Sequence, residues 1–289
     1  MSDFSERGRE ATFGGCCVAT LTPFDASDRV DAGVVAAHAA WLVEHGVQGL
    51  CPAGTTGEFL YLSAEEKLRV VTETVRGAAG RVPVIAGVWG LRESETLALA
   101  KGAENAGAQG VFLPPPIYYP ANDAAVFAHY AAVHAATRLP VFAYNIPQYA
   151  ANEVSLACLE RLFAEGVIAG AKDSTGKTDR VAALIERFGT RGTIFAASDG
   201  FASEGRRLGA DGFISAIANV APALFVALWA GDDTLQPRVD ALRSALKQVG
   251  SIPALKHLLT RRGFPFGEAR IPYSSLTAPQ RETLDALEW

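Results

Sequence analysis

Eight short apolar runs, each followed by a stretch of polar or helical pattern, constrain this chain more tightly than any other feature. They are Cys16–Leu21, Val47–Cys51, Val82–Val88, Gly110–Leu113, Leu139–Tyr144, Val167–Ala171, Thr193–Ala197 and Gly212–Ile217. Each has the length of a buried strand, and none shows the polar alternation of a half-exposed one. Between them, Leu68, Val71 and Val75 repeat at i, i+3 and i+7, as do Leu156, Leu159 and Phe163. Val181, Leu184, Ile185 and Phe188 fill i, i+3, i+4 and i+7 of one helical face. Ser63 with Glu66 spells a capping box, and Gly46, Gly80, Gly107 and Gly189 stand where helices should stop. Strands alternating with helices make a parallel sheet. Eight units favour closure into an α/β fold of the (β/α)8 TIM-barrel type over an open doubly wound sheet, and no GxGxxG follows the first run.

The 289 residues exceed the ~250 of a plain barrel. Leu224–Trp229, Pro237–Val249 and Ile252–Arg262 read as additional helices. The expected organisation is a catalytic barrel over residues 1–220, with residues 1–13 a polar N-terminal segment, and a C-terminal helical extension over 221–289 packed on it. A hydrophobic fraction of 49% suffices for a large core. The net charge of −5, with Lys and Arg scattered, disfavours nucleic-acid binding, which wants a clustered basic stripe. No apolar run reaches the ~18 residues of a membrane span. The opening MSDFSERGRE lacks the apolar core of a signal peptide, so a cytoplasmic location is expected. Cys16, Cys17, Cys51 and Cys158 suit no zinc spacing and read as reduced, buried small hydrophobes. The five histidines fall in expected helices, as surface or packing residues. No metal site is expected.

In a barrel of this kind, chemistry comes from the C-terminal ends of the strands. Strand 2 leads into Gly54-Thr55-Thr56-Gly57-Glu58, whose glycines free the backbone and whose hydroxyls and N–H groups suit a carboxylate. The plain alternative is a glycine turn before a helix. Strand 4 leads into Pro114-Pro115-Pro116-Ile117-Tyr118-Tyr119-Pro120, a stiff loop carrying two tyrosines that suits a surface or a subunit contact. Strand 5 ends in Tyr144-Asn145-Ile146-Pro147, where a phenol can relay protons or simply pack. Strand 6 carries Lys172 after five small or apolar residues. An amine denied water inside a barrel is more readily neutral and nucleophilic towards a carbonyl; the alternative is a lysine just past the strand, solvated.

Taken together, these residues resemble the dihydrodipicolinate synthase / N-acetylneuraminate lyase family of class I pyruvate aldolases. The likeness runs in order along nearly the whole chain: Ala19-Thr20-Leu21-Thr22-Pro23-Phe24, the GTTGE loop, PPPIYYP, YNIP, Lys172 in AGAKDSTG, Ala197-Ser198-Asp199, and Gly209 to Ser215 with Asn219. The resemblance implies a lyase in which Lys172 forms a covalent imine with a 2-oxo acid such as pyruvate, with no separate cofactor. It implies that Tyr144 shuttles protons, that Thr55 links Tyr144 to Tyr118, and that Thr55 and Thr56 hold the substrate carboxylate. The backbone of Ile214 would help set the geometry. It also implies a homotetramer, a dimer of dimers, in which Tyr118 reaches a neighbouring site.

Two departures bear on the substrate. The arginine expected two residues after Pro147 is Tyr149, which removes a bidentate clamp for a second carboxylate. The polar residues that sialic acid lyases carry are replaced here by Gly200 and Ala216. What remains resembles the branch that cleaves or dehydrates 2-keto-3-deoxy sugar acids or cleaves 4-hydroxy-2-oxo acids, with Ser174, Ser198 and Asp199 as hydroxyl contacts. The alternatives are 4-hydroxy-tetrahydrodipicolinate synthase, joining pyruvate and aspartate semialdehyde, and N-acetylneuraminate lyase. From other classes come a catalytically silent barrel that only binds a 2-oxo acid, and a phosphate-binding barrel, which the absence of a glycine-rich cradle after strands 7 and 8 disfavours.

Overall fold

The computed structural model describes residues 13–270 and 272–287, so the polar segment expected over residues 1–13 lies, but for Phe13, outside them. All eight apolar runs become parallel strands: β1 (Gly15–Ala19), β2 (Gly49–Cys51), β3 (Ile85–Gly87), β4 (Gly110–Leu113), β5 (Val141–Asn145), β6 (Gly170–Asp173), β7 (Thr193–Ala197) and β8 (Gly212–Ser215). They are ordered β2-β1-β8-β7-β6-β5-β4-β3. The circle closes through a parallel bridge between Leu50 and Val84, supported by hydrogen bonds from Leu50 N to Pro83 O and from Gly87 N to Pro52 O. The hydrogen-bonded strands are mostly shorter than the apolar runs. In β8 the reason is local: Ser215 Oγ accepts from Ala218 N at 2.8 Å and turns Ile217–Asn219 into a 3-10 helix.

The period-2 geometry of a strand sorts side chains between two cores. Cys17, Cys51, Ile85, Phe112, Phe142, Phe195 and Ile214 fill the barrel interior. Their neighbours point outward, beneath the helices: Cys16, Val18, Leu50 and Phe213 on one side, Val111, Val141, Ala143, Ala171 and Ile194 on the other. Gly170 is required by this packing, because a Cβ there would lie 2.3 Å from Thr193 O and 2.8 Å from the Phe142 ring.

The helices around the barrel are α1 (Ala32–Glu44), α2 (Ala64–Ala78), α3 (Glu93–Asn105), α4 (Asp123–Ala136), the single turn α5 (Pro147–Ala150), α6 (Leu156–Ala164), α7 (Thr178–Phe188) and α8 (Ala202–Leu208). The Ser63–Glu66 capping box forms at α2. Gly46, Gly80 and Gly107 take left-handed φ just past their helices, whereas Gly189 stays right-handed. After β8 come α9 (Pro222–Trp229), α10 (Gln236–Val249), α11 (Ser251–Arg261) and α12 (Ala278–Asp285). Their Phe225, Leu228, Leu242, Leu255, Leu258 and Leu284 share one buried cluster with the outward residues of β1 and β8. The extension is therefore part of the barrel's own core. Truncating a fully buried phenylalanine such as Phe225 costs about 3–5 kcal/mol in such packing. Among the described residues, no helix is long and apolar enough to cross a membrane.

Candidate active site

Strand parity places Lys172. Ala171 faces outward into the helix layer, so the next residue faces the barrel interior. The register pairs Lys172 with Tyr144 of β5 on one side and Phe195 of β7 on the other. The ladder extends through Asp173, so Lys172 lies within β6 and is only 6% exposed. Its Nζ stands 4.0 Å from the Tyr144 ring centroid and 5.7 Å from that of Phe112. The two rings meet edge to face at 5.7 Å. Among the described residues, no carboxylate, carbonyl or hydroxyl pairs with this ammonium.

The adjacent carboxylate is committed elsewhere. Asp173 points outward and is buried, accepting from Asn145 Nδ2 at 2.7 Å, Arg180 Nε at 2.7 Å and Thr175 N at 2.9 Å. Asn145 Oδ1 in turn accepts from Val154 N, and Arg180 donates to Val154 O. This network fixes the ends of β5 and β6, and hence the relation of Tyr144 to Lys172. The interior cysteines are poor competitors for nucleophilic work. Burial pushes the Cys51 thiol up to about 12 and raises Cys17 well above the usual thiol range.

The threonine loop lies across the mouth. Gly54 must be glycine, since a Cβ there would come within 2.9 Å of the Phe112 ring. Gly57 is similarly confined by Thr20 O, and its carbonyl accepts from Thr22 Oγ1 at 2.7 Å. Thr55 and Thr56 are half-buried. A crevice is lined by Gly54, Thr55, Phe112, Pro114 and Tyr144. A larger open depression of about 510 Å³, at Glu153, Lys177, Asp179 and Arg180, contains none of the expected site residues.

Backbone strain gathers at the same end. Among the described residues, five of the seven non-glycine residues with positive φ follow strand ends: Ala53 (55°), Glu58 (60°), Tyr118 (75°), Ala151 (62°) and Ser198 (98°). Each costs ~1–3 kcal/mol and persists only where its surroundings dictate it.

The remaining expected residues divide into four groups. Ile214 points into the barrel, paired with Cys17 and Ala197. Ser174 and Ser198 are half-buried at the ends of β6 and β7. Asp199 is buried, but its carboxylate accepts from Ser215 Oγ and the Ile217 N–H, and burial raises it above the usual carboxylate range. Tyr149 is 72% exposed and Tyr118 78% exposed. Among the described residues, no hydrogen bond joins Thr55, Tyr144 and Tyr118.

Two residues of the sequence motifs, Asn219 and Glu58, take structural roles that the sequence did not reveal. Asn219 ties β1 to the turn after β8, accepting from Leu21 N and donating to Ala19 O and Ala216 O. Glu58 is buried and paired with Lys256 at 2.6 Å. Only a charged residue in a glycine-framed loop hinted at it. Among the described residues, no group of three His, Cys, Asp or Glu is placed to hold a metal.

The inward lysine, the strand-end tyrosine and the threonine loop thus gather at the end of a parallel barrel where such folds carry their chemistry. The dihydrodipicolinate synthetase family model matches residues 12–287, and the chain belongs to that family. It is 38% identical over 274 residues to a DapA-like lyase of Halobacterium salinarum, covering 92% of this chain and 90% of that one. It is 36% identical over 282 residues to a 4-hydroxy-tetrahydrodipicolinate synthase of Rhizobium meliloti, covering 94% and 96%. The dihydrodipicolinate synthase DapA-2 of Bacillus anthracis superposes with a TM-score of 0.88 at 27% identity, covering 96% and 97%.

Proposed function

We propose that Lys172 forms a Schiff base with the C2 carbonyl of pyruvate or a closely related 2-oxo acid. The observation that carries this reading is the inward, buried Lys172 Nζ, set against the Tyr144 ring and, among the described residues, without an anionic partner. In cleavage, the amine adds to C2 and water leaves, giving an iminium. The C3–C4 bond then breaks, its electron pair moves into the iminium to form an enamine, and a base takes the C4 hydroxyl proton as the aldehyde departs. Protonation at C3 and hydrolysis return Lys172 and release pyruvate. The imine is itself the electron sink, so no separate cofactor is invoked. Tyr144 moves the protons. Thr55, Thr56 and the backbone beside Gly54 hold the carboxylate, an electrostatic and positional contribution.

The substrate we assign is a 2-keto-3-deoxy sugar acid or a 4-hydroxy-2-oxo acid, cleaved or dehydrated. Tyr149 supports this, because it offers a neutral phenol where a second carboxylate would need a cation. Ser174 and Ser198 serve the substrate hydroxyls, and Asp199 acts through Ser215 and Ile217. A second reading, 4-hydroxy-tetrahydrodipicolinate synthase, is favoured by the names of relatives at 35–36% identity.

The working form we propose is a homotetramer in which Tyr118 enters a neighbouring site, completing the relay from Thr55 and Tyr144. Exposure of Leu91, Tyr118 and Tyr119 at the mouth supports it. A panel of 2-keto-3-deoxy acids, 4-hydroxy-2-oxo acids and N-acetylneuraminate, scored for pyruvate release beside pyruvate plus aspartate semialdehyde, tests the substrate. Release from the sugar acids alone supports the assignment; condensation alone replaces it with the second reading.

A further inference from the structure

The threonine loop is gripped from outside the barrel by the C-terminal extension. Glu58, two residues past Thr56, sits in a left-handed turn at φ 60° with its side chain buried. One carboxylate oxygen faces Lys256 Nζ of α11 at 2.6 Å. The other accepts from the backbone N–H of Arg270 at 2.7 Å. Lys256 also donates to Glu268 O at 3.2 Å and lies 4.1 Å from the Phe24 ring centroid. The Arg270 guanidinium lies 4.1 Å from the same centroid. It donates to Tyr61 O at 2.6 Å, to Asp28 O at 2.6 Å, to Asp28 Oδ1 at 3.0 Å and to both carboxylate oxygens of Glu66. On the loop's other side Thr22 holds Gly57 O.

This is a costly way to hold a loop. Burial pulls Lys256 down to about 8, with Glu58 acting against that shift. A buried ion pair contributes little net stability over apolar residues of the same size. What it supplies is direction: an ammonium and a backbone N–H, on two different parts of the extension, hold a residue whose backbone is itself strained.

We propose that Glu58 is a positioning residue, held by Lys256 and Arg270, which sets the turn that presents Thr55 and Thr56 to the substrate carboxylate. Through it the C-terminal extension governs affinity for the 2-oxo acid without touching it. This rests on the Schiff-base reading above.

The test compares wild type, Glu58→Gln and the double variant Lys256→Met/Glu58→Gln. The first keeps the side chain's shape and leaves Lys256 free to shed its proton; the second removes both charges and the desolvation cost with them. Each is titrated with pyruvate, and the borohydride-stable adduct at Lys172 is scored alongside thermal melting and substrate turnover. Both variants are expected to reach the wild-type adduct yield at saturation and to keep kcat within a few-fold, while half-saturating pyruvate and KM rise on the order of tenfold. A double variant that melts like wild type yet needs more pyruvate shows positioning, because a purely structural pair would restore both together. Wild-type half-saturation in either folded variant overturns the proposal. Absence of an adduct in wild type overturns the Schiff-base reading and this inference with it.

Discussion

Lys172 and Lys256 are buried alike, at 6% and 1% exposure, and each ammonium stands about one ring's contact from an aromatic face, at 4.0 Å from Tyr144 and 4.1 Å from Phe24. They differ in their anions. Lys256 has Glu58 at 2.6 Å and a carbonyl besides; among the described residues, Lys172 has neither. A third buried lysine, Lys67, follows Lys256, with Trp89 O at 3.0 Å and Glu95 at 3.7 Å. Burial and aromatic neighbours therefore do not set Lys172 apart from the other two. What sets it apart, among the described residues, is an Nζ with no counter-charge beside it, while Asp173, the next residue, is taken by Arg180 and Asn145.

Replacing each lysine by methionine tests the contrast most severely. Lys172→Met should reduce turnover by roughly 10⁴-fold or more with stability unchanged or raised, because the nucleophile goes and no partner is stranded. Lys256→Met should do the reverse, costing about 3–5 kcal/mol in urea denaturation because Glu58 is left buried and unpaired, while the Lys172 adduct still forms. A smaller loss is expected for Tyr144→Phe, with turnover falling on the order of 10²-fold in stopped-flow assays and adduct formation retained.

The smallest effect is a pH dependence of stability. Lys256 is held at about 8 in the folded chain against an ordinary 10.5, chiefly by burial. Between these values the unfolded chain binds the proton that the folded chain has released, so Lys256's contribution becomes more favourable as pH rises. Its cost is fully present below pH 8 and relieved by pH 10.5. Denaturant midpoints across that window should therefore rise for wild type relative to Lys256→Met/Glu58→Gln; a parallel pair of curves would mean the lysine is not strained by burial.

Sequence alone could set Lys172 beside Tyr144 because strand geometry is local. Period-2 alternation turns Lys172 inward once Ala171 is outward, and the order of apolar runs brings Tyr144 beside it. The threonine loop was legible through its glycines, which close contacts with Phe112 and Thr20 demand. The grip on that loop was not legible. Arg270 N lies 212 residues from Glu58 along the chain, and no local period announces such a contact. Asp199 shows the same limit: nothing local announced that Ser215, 16 residues on, donates to its carboxylate.

The most direct measurement is borohydride reduction in the presence of pyruvate, followed by peptide mapping of every lysine. The account predicts one stable pyruvate adduct, on Lys172, with Lys67 and Lys256 unmodified. An adduct on Lys256, or none on Lys172, would contradict it.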